Sequence, residues 1–305
     1  MQQRRDHLDA AAIAIMVLLC ALWGFQQVVV KICVAQGLPP VLQTTLRSAG
    51  AAALGCLWLA WRQGAGPLRA LLRPGEATAP ALWLAAIFGI EFIMMYVGLG
   101  LTTASRAVLL IYTAPFFTAL GGHLFMPSER LRWVQALGLL VAFGGVAAAF
   151  ADGLWHGGGN LTGDLLCFGA GALWGGSTVL VKGSPGLRRI DASSLLVLQL
   201  GGSVPFLIVG SALFGDLSRF PDATAVAWLG LAYQTVIVAF ASYLAWFWVL
   251  LAYPGSKVAG FTFLTPLFGV LSGGLVLGEP ISAALLAGLG AIAVGLKLVN
   301  RPARA

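Results

Sequence analysis

Ten segments of about 20 predominantly apolar residues follow one another along the chain, with only short connections between them. A helix of that length spans the hydrocarbon core of a bilayer. The predicted spans cover residues 10–31, 41–61, 80–100, 104–125, 132–150, 163–182, 192–214, 223–250, 256–277 and 281–299. No connection is long enough to form a soluble domain. The sequence therefore predicts an all-α integral membrane protein with ten transmembrane helices.

The composition agrees with this interpretation. Of the 305 residues, 59% are hydrophobic and 10% are charged, and the mean hydropathy is +0.90. A soluble domain carries roughly 25% charged residues, so this chain cannot be a cytosolic enzyme, a disordered regulator or a secreted disulfide scaffold. Arg4 and Arg5 precede the apolar run 10–22 as in a signal peptide, but the run continues through residues 28–30. We interpret it as an uncleaved first span.

Lysine and arginine residues fall mainly on one side of the predicted membrane. Fourteen of the 18 lie on the side that holds both termini: Arg4, Arg5, Arg62, Arg69, Arg73, Arg130, Arg132, Lys182, Arg188, Arg189, Lys257, Lys297, Arg301 and Arg304. The other side receives Lys31, Arg47, Arg106 and Arg219. Because loops rich in lysine and arginine stay in the cytoplasm, both termini are expected there, in a multi-pass protein of a bacterial-type inner (plasma) membrane. The net charge of +7 therefore indicates topology and not a nucleic acid partner.

The two halves of the chain repeat each other. At an offset of 151 residues, Trp23-Gly24 matches Trp174-Gly175, Lys31 matches Lys182, Arg106 matches Lys257 and Pro115 matches Pro266. At an offset of 150, Glu129 matches Glu279, Gly138 matches Gly288 and Gly145 matches Gly295. Since the chain has only four lysines and four glutamates, we interpret these matches as an internal repeat, with halves at residues 1–151 and 152–305.

Each half holds five predicted spans. An odd number of spans places the second half upside down in the membrane relative to the first. Secondary transporters have this architecture, with the substrate site near the middle of the bilayer where the inverted halves meet. A receptor or a scaffold has no need of inverted halves, whereas a protein that opens alternately to the two sides of a membrane does.

Three features of each half resemble the EamA repeat. The first half has Trp23-Gly24, the small-residue run 102–107 that leads to Pro115, and the acidic turn at Glu129 followed by the glycine-rich segment 138–146. The second half has Trp174-Gly175, residues 255–259 leading to Thr265-Pro266, and Gly278-Glu279-Pro280 followed by residues 288–295. The resemblance covers nearly the whole chain. It implies a member of the drug/metabolite transporter superfamily, with ten helices, no ATPase and export of small metabolites.

Glu91 lies midway along the third predicted span. Ionisable side chains at this depth are rare and mark functional positions. With Met95 and Gly98 it forms a stripe along one helix face. We expect a cavity carboxylate that receives an amino group or a proton. The alternative is a carboxylate that is neutralised by Arg47, or protonated among apolar neighbours.

The first helix of each half carries a polar stripe. Trp23, Gln27 and Lys31 share one helix face, and Trp174, Thr178 and Lys182 repeat that face in the second half. We expect the tryptophans, Gln27 and Thr178 to line a cavity from both halves. The alternative is that Gln27 and Thr178 only join helices by hydrogen bonds. The two lysines are expected to cap helix ends.

Prolines and glycines predict where helices bend and where they pack closely. Pro115 and Pro266 lie inside their predicted spans, where each removes an intrahelical hydrogen bond and kinks the helix. They are candidate hinges, although packing alone could also require them. The segment 138–146 predicts a close-packing helix face and not a phosphate loop.

The predicted function is that of a secondary transporter that exports small metabolites, most of all amino acids with apolar or aromatic side chains, by alternating access. Within the superfamily, the resemblance favours aromatic amino acid exporters of the YddG type. The predicted substrate-binding residues are Trp23, Gln27, Glu91, Met95, Tyr112, Trp174, Thr178, Tyr243 and Phe263. The partners expected are a small-molecule substrate and the lipid bilayer, with no metal and no cofactor, for a protein that functions as a monomer.

Two other functions remain open at this point. An organophosphate or nucleotide-sugar antiporter of the same superfamily would use Lys31, Lys182, Arg106 and Lys257 as anion ligands. These cations fall at helix ends, which makes that function less favoured. An intramembrane enzyme would need a clustered nucleophile, base or metal site, and the sequence suggests none.

Overall fold

Helices account for nearly all of the residues that the structure describes. The computed structural model describes residues 8–102, 104–149, 160–214, 216, 223–277 and 283–299, and these contain no β-strand. In chain order the helices are α1 (Ala10–Ala35), α2 (Pro40–Gln63), α3 (Ala65–Leu71), α4 (Thr78–Leu101), α5 (Ala104–Ile111), α6 (Ala114–Phe125), α7 (Trp133–Ala149), α8 (Leu161–Gly183), α9 (Pro185–Arg188), α10 (Ala192–Leu213), α11 (Ala225–Tyr233), α12 (Tyr243–Ala252), α13 (Gly255–Phe261), α14 (Thr265–Leu277) and α15 (Ala283–Val299). Short 3₁₀ segments cover Pro127–Glu129 and Thr262–Leu264, and a π-helix covers Gln234–Ser242.

Helices lie in all ten of the predicted segments. Within the described ranges, seven stretches are long and apolar enough to cross a membrane: Ala10–Ala35, Thr78–Leu101, Arg106–Phe125, Leu161–Gly183, Ala192–Leu213, Ala225–Ala252 and Gly255–Val276. Trp133–Ala148 and Gly290–Val299 are shorter apolar helices. Helix α2 has 24 residues, but Gln43, Thr44 and Arg47 make it more polar than the others. The prediction of an all-α membrane protein is confirmed.

Some sequence-based expectations concern residues outside the described ranges. They include Arg4, Arg5, Arg219, Gly278, Glu279, Pro280, Arg301 and Arg304, and the boundary between residues 151 and 152. For these residues the expectations stay predictions.

Polar and special residues mark the helix ends. Asp9 accepts a hydrogen bond from the backbone N–H of Ala12 (2.9 Å) at the start of α1, which satisfies a donor that the first turn leaves unpaired. Asp191 caps α10 in the same way. Pro40 occupies the first position of α2, where no N–H is needed. Gly64 ends α2 with a φ of 76°, a conformation that favours glycine. These capping and turn residues determine where the predicted spans begin and end.

The internal repeat is visible in helix packing. A Cβ atom placed on Gly24 of α1 would lie 2.6 Å from Cβ of Phe268 on α14. A Cβ atom on Gly175 of α8 would lie 2.5 Å from Cβ of Phe117 on α6. Gly175 and Phe268 are the residues that the 151-residue offset matches to Gly24 and Phe117. The first helix of each half therefore packs, in the same register, against the fourth span of the other half.

Helices α7 and α15 pack against each other through glycines that the internal repeat matches. A Cβ on Gly138 would lie 2.6 Å from the carbonyl oxygen of Gly295, and a Cβ on Gly295 would lie 2.5 Å from that of Gly138. Two turns further along α7, a Cβ on Gly145 would lie 2.8 Å from the carbonyl oxygen of Gly288. Only glycine permits this approach. The predicted close-packing role of segment 138–146 is confirmed.

Each predicted proline kink is a break between two helices. Helix α5 ends at Ile111, and Pro115 is the second residue of α6. In the other half, α13 gives way to the 3₁₀ segment Thr262–Leu264, and Pro266 is the second residue of α14. The chain thus starts a new helix just before each proline, because proline fits the first turn and not the interior. The interruptions are confirmed, and a hinge function stays a prediction.

Candidate functional site

A cavity of about 790 Å³ lies between the two halves of the helical bundle. Its walls come from α1, α4, α5, α8, α12 and α14, with single residues from α2 and α10. Its volume falls in the range of small-molecule binding sites, and most of the lining is apolar or aromatic. Among the described lining residues, Glu91 and Lys31 are the only charged ones.

Most of the residues predicted to bind substrate line this cavity. They are Trp23, Gln27, Glu91, Met95, Tyr112, Trp174 and Tyr243, together with the candidate hinge Pro266. Whether they bind substrate stays a prediction, but the fold brings them to one place.

Three predicted residues lie elsewhere. Thr178 is buried, and its hydroxyl donates to the carbonyl oxygen of Trp174 at 3.3 Å. Phe263 is fully buried, with its ring centroid 6.1 Å from that of Phe116. Pro115 is buried and does not contribute to the lining. None of these three residues is among those that line the cavity.

Other lining residues were not in the predicted set. Gln199 of α10 and Gln26 of α1 are nearly buried polar residues that reach the cavity, and Phe88 and Phe92 line it on α4. Gln199 lies in the middle of a predicted span, so the criterion that identified Glu91 could also have identified Gln199.

Tryptophan and tyrosine rings form one wall of the cavity. The ring of Trp23 packs edge-on against Tyr243 (centroids 6.1 Å apart) and against Trp246 (5.6 Å). Its indole N–H donates to the hydroxyl of Ser242 at 2.8 Å. Ser242 is the last residue of the π-helix, which the sequence did not predict. Because Trp23 has both its ring and its N–H engaged, its orientation in the wall is fixed.

Glu91 and Arg47 are close neighbours without forming an ion pair. Glu91 is 7% exposed and faces the cavity, whereas Arg47 is 1% exposed and lies behind the wall. The guanidinium carbon of Arg47 lies 4.6 Å from the ring centroid of Phe92, and its Nη2 donates to the hydroxyl oxygen of Tyr243 at 3.4 Å. Both residues belong to the described chain, and no contact within 4.0 Å joins their charged groups there. Direct neutralisation of Glu91 by Arg47 is therefore not present.

A buried ionic cluster joins the two halves of the bundle and consists of Lys182, Glu129 and Gly255, which we call the Lys182 cluster. Lys182 Nζ lies 3.4 Å from Oε1 of Glu129 and donates to the carbonyl oxygens of Leu250 (3.0 Å) and Tyr253 (2.7 Å). The backbone N–H of Gly255 donates to Oε2 of Glu129 at 2.8 Å. Lys182 caps a helix end, as predicted, but the helix is α12 and not its own.

The last turn of α1 contributes exposed residues to the cavity. They are Lys31, Val34 and Ala35. Lys31 is the residue that the internal repeat matches to Lys182. Two equivalent lysines therefore occupy opposite environments, one buried in the Lys182 cluster and one exposed in the cavity lining.

Arg106 has a carboxylate partner on another helix. Arg106 and Asp164 form a bidentate ion pair between α5 and α8, and the hydroxyl of Thr102 donates to Oδ1 of Asp164 at 2.6 Å. Lys257, the repeat equivalent of Arg106, is buried. Neither Arg106 nor Lys257 lines the cavity.

The structure is that of an all-helical membrane protein with a largely apolar cavity between two internal repeats. The family model described as EamA-like transporter family matches residues 10–151 and residues 161–301. The chain therefore belongs to the EamA-like transporter family, whose members carry solutes across membranes and are not enzymes. The two matches also agree with the repeat that the sequence predicts.

Several curated proteins are similar to this chain. "Uncharacterized transporter YvbV" of Bacillus subtilis (strain 168) is 28% identical over 234 residues, which cover 75% of this chain and 74% of the relative. "Probable amino-acid metabolite efflux pump" of Escherichia coli (strain K12) is 26% identical over 286 residues, covering 92% and 91%. The protein of the same name in Salmonella typhimurium is 29% identical over 292 residues, covering 92% and 91%.

The overall fold also matches a solved structure. A crystal structure superposes with a TM-score of 0.78 and 18% sequence identity, covering 95% of this chain and 96% of that one. At this level of identity the match concerns the fold alone.

Proposed function

We propose that this protein is a secondary transporter of the inner membrane that exports amino acids with apolar or aromatic side chains by alternating access. The observation that carries the proposal is the cavity between the repeats, in which Glu91 is the only carboxylate among described lining residues. Glu91 receives the ammonium group of the substrate, since a carboxylate in an apolar bundle favours a cationic partner. The rings of Trp23, Tyr112 and Trp174 pack against its side chain.

The relatives support the same class of substrate. Two of them, from Escherichia coli and Salmonella typhimurium, are named as amino-acid metabolite efflux pumps and align with nearly the full chain. The volume of about 790 Å³ is ample for a single amino acid with water around it.

In the proposed topology all ten predicted segments cross the membrane and both termini are cytoplasmic. The Lys182 cluster then closes the cytoplasmic end, and the mouth at Lys31 opens to the outside. The conformation described here is accordingly the outward-open state, in which substrate leaves. In the inward-open state the repeats exchange roles, and the end at Lys31 closes instead.

An organophosphate or nucleotide-sugar antiporter is the weaker alternative. Such a protein needs several cations in the cavity. Of the four candidate cations, all of them within the described chain, Lys31 alone lines the cavity. Lys182 is committed to Glu129, and Arg106 is committed to Asp164.

Counterflow in proteoliposomes tests the proposal. Vesicles that contain the purified protein and a high internal concentration of L-phenylalanine should accumulate external radiolabelled L-phenylalanine transiently, without ATP. Sugar phosphates loaded in the same way should not drive accumulation. If a sugar phosphate exchanges and the amino acid does not, the proposal is wrong and the antiporter alternative is correct.

A further inference from the structure

Arg47, a buried charged residue beside the cavity, lacks some of the hydrogen bonds that a buried guanidinium requires. Its side chain is 1% exposed, and two of its nitrogens, Nε and Nη1, have no hydrogen-bond partner. Buried donors without partners are costly and rare in native structures. The ring of Phe92, 4.6 Å from the guanidinium carbon, compensates the charge only in part. The described side chains around Arg47 therefore leave two of its donors unused.

Tyr243 connects this charge to the cavity. Its hydroxyl oxygen accepts a hydrogen bond from Arg47 Nη2 at 3.4 Å, and its half-buried side chain lines the cavity. A guanidinium has no acceptor, so the hydroxyl proton of Tyr243 cannot point back at Arg47. The hydroxyl of Tyr243 can therefore donate to a ligand inside the cavity. The positive charge of Arg47 next to this hydroxyl favours an anionic acceptor.

The same wall holds the carboxylate of Glu91. The ring of Phe88, one helix turn before Glu91 and Phe92, lies 6.2 Å from the ring of Tyr243 (centroid to centroid). Glu91 and Tyr243 thus face the cavity from adjacent helices, with an anionic group on α4 and a donor backed by a cation on α12.

We infer that Tyr243, held and polarised by Arg47, is the subsite that binds the carboxylate of the substrate. The cavity then selects zwitterionic amino acids, with the ammonium group at Glu91 and the carboxylate at Tyr243. The assignment of the ammonium group to Glu91 rests on the proposed function. The assignment of the carboxylate to Tyr243 rests on the geometry of Arg47 and Tyr243.

Three ligands that share a phenyl group test the ammonium site and the carboxylate site separately. L-Phenylalanine carries both charges, 2-phenylethylamine lacks the carboxylate, and 3-phenylpropionate lacks the amine. Their dissociation constants are measured by calorimetry on the purified full-length protein, with wild type, Tyr243→Phe, Arg47→Lys and Glu91→Gln. Tyr233→Phe is the matched control, because it removes a hydroxyl from the preceding helix that bonds to the carbonyl oxygen of Leu22 and does not line the cavity.

Each variant should weaken only the ligands that carry the group which the replaced residue binds. Tyr243→Phe should weaken phenylalanine and phenylpropionate about tenfold or more, the scale of a hydrogen bond to a charged group, and leave phenylethylamine unchanged. Arg47→Lys keeps the charge but loses the planar fork, so it should weaken the same two ligands less. Glu91→Gln should weaken phenylalanine and phenylethylamine and spare phenylpropionate. Tyr233→Phe should change none of the three.

The results that would contradict the carboxylate subsite differ from those that would contradict the ammonium site. If Tyr243→Phe and Arg47→Lys leave all three dissociation constants unchanged, the carboxylate subsite is wrong, whatever Glu91→Gln does. If these two variants weaken all three ligands equally, together with a lower melting temperature, Arg47 and Tyr243 are structural and the inference is again wrong. If only the Glu91→Gln pattern fails, the ammonium site of the proposed function is wrong and the carboxylate subsite stands. Lack of phenylalanine binding by wild type would overturn both.

Discussion

Lys182 Nζ and Glu129 Oε1 lie 3.4 Å apart in a buried contact that joins the two repeats. The equivalent lysine, Lys31, is exposed in the cavity lining. A symmetric pair of residues in asymmetric environments is what a transporter needs if the two ends close in turn.

Removing the lysine should open the closed end. Lys182→Met removes the ammonium group that contacts the buried carboxylate of Glu129, and breaking a buried ion pair is strongly unfavourable. A cysteine at Ser177, which lines the cavity, should then react with an impermeant thiol reagent from the cytoplasmic side as well as from outside. With Lys182 intact it should react from outside only.

The control for this variant is Arg189→Gln, which breaks an ion pair with Glu76 whose side chains are 71% and 69% exposed. Such exposed pairs contribute about 0–1 kcal/mol, so Arg189→Gln should change neither labelling nor melting temperature appreciably. Equal labelling patterns in the Lys182→Met and Arg189→Gln proteins would mean that the Lys182 cluster does not close the cavity.

The glycine face between α7 and α15 should tolerate no side chain. Gly295→Ala would place a Cβ 2.5 Å from the carbonyl oxygen of Gly138, and neither backbone can move away without separating the helices. We expect destabilisation by about 1–3 kcal/mol, the usual range for overpacking. Gly144→Ala is the matched control, since nothing lies within 4 Å of its added Cβ. Melting temperatures in detergent compare the two, and similar values would contradict the described packing.

Replacing either helix-break proline should slow transport more than it weakens binding. Pro115→Ala and Pro266→Ala each restore a backbone N–H and allow the two helices to join, which stiffens the break without removing a cavity donor. Counterflow rates and dissociation constants for L-phenylalanine are measured side by side. A variant that transports at the wild-type rate would show that its proline serves packing alone.

The topology can be read by cysteine labelling. A protein that retains only buried cysteines is made by replacing Cys56, the one native cysteine among the four that is not buried. An impermeant reagent should label a cysteine introduced at Gly158 from outside the cell. It should label one at Arg188 only after the membrane is opened. Labelling of both from the same side would overturn the orientation and the inverted repeat together.

Apolar periodicity and the repeat predict most of the fold, because each depends on local sequence. The span limits, the breaks before Pro115 and Pro266 and the glycine contacts of α7 all follow from such signals. The π-helix at Gln234–Ser242 does not, since its register depends on what packs against it. The burial of Arg47 likewise depends on Phe92 and Tyr243 from other helices.

The candidate site was predicted less completely because the conformation is asymmetric. Gln27 and Thr178 are equivalent in the repeat, and both were expected in the cavity. Gln27 is exposed there and Thr178 is buried outside it. Tyr112 and Phe263 are also equivalent in the repeat and both are buried, but Tyr112 alone of the two lines the cavity. In a state that opens at one end, equivalent residues experience different surroundings, and a sequence repeat cannot specify which copy faces the cavity.

The most direct test of the account is the effect of Glu91→Gln on amino acid binding and counterflow. Glutamine keeps the shape and a hydrogen-bonding oxygen but removes the charge, so L-phenylalanine should bind more weakly by about 1.5–3 kcal/mol, or roughly tenfold to a hundredfold. Counterflow at low substrate concentration should fall accordingly, while 3-phenylpropionate binds as in wild type and the melting temperature stays close to that of wild type. If L-phenylalanine binds and exchanges equally well in the Gln variant, Glu91 is not the ammonium site and the proposed substrate class loses its main support.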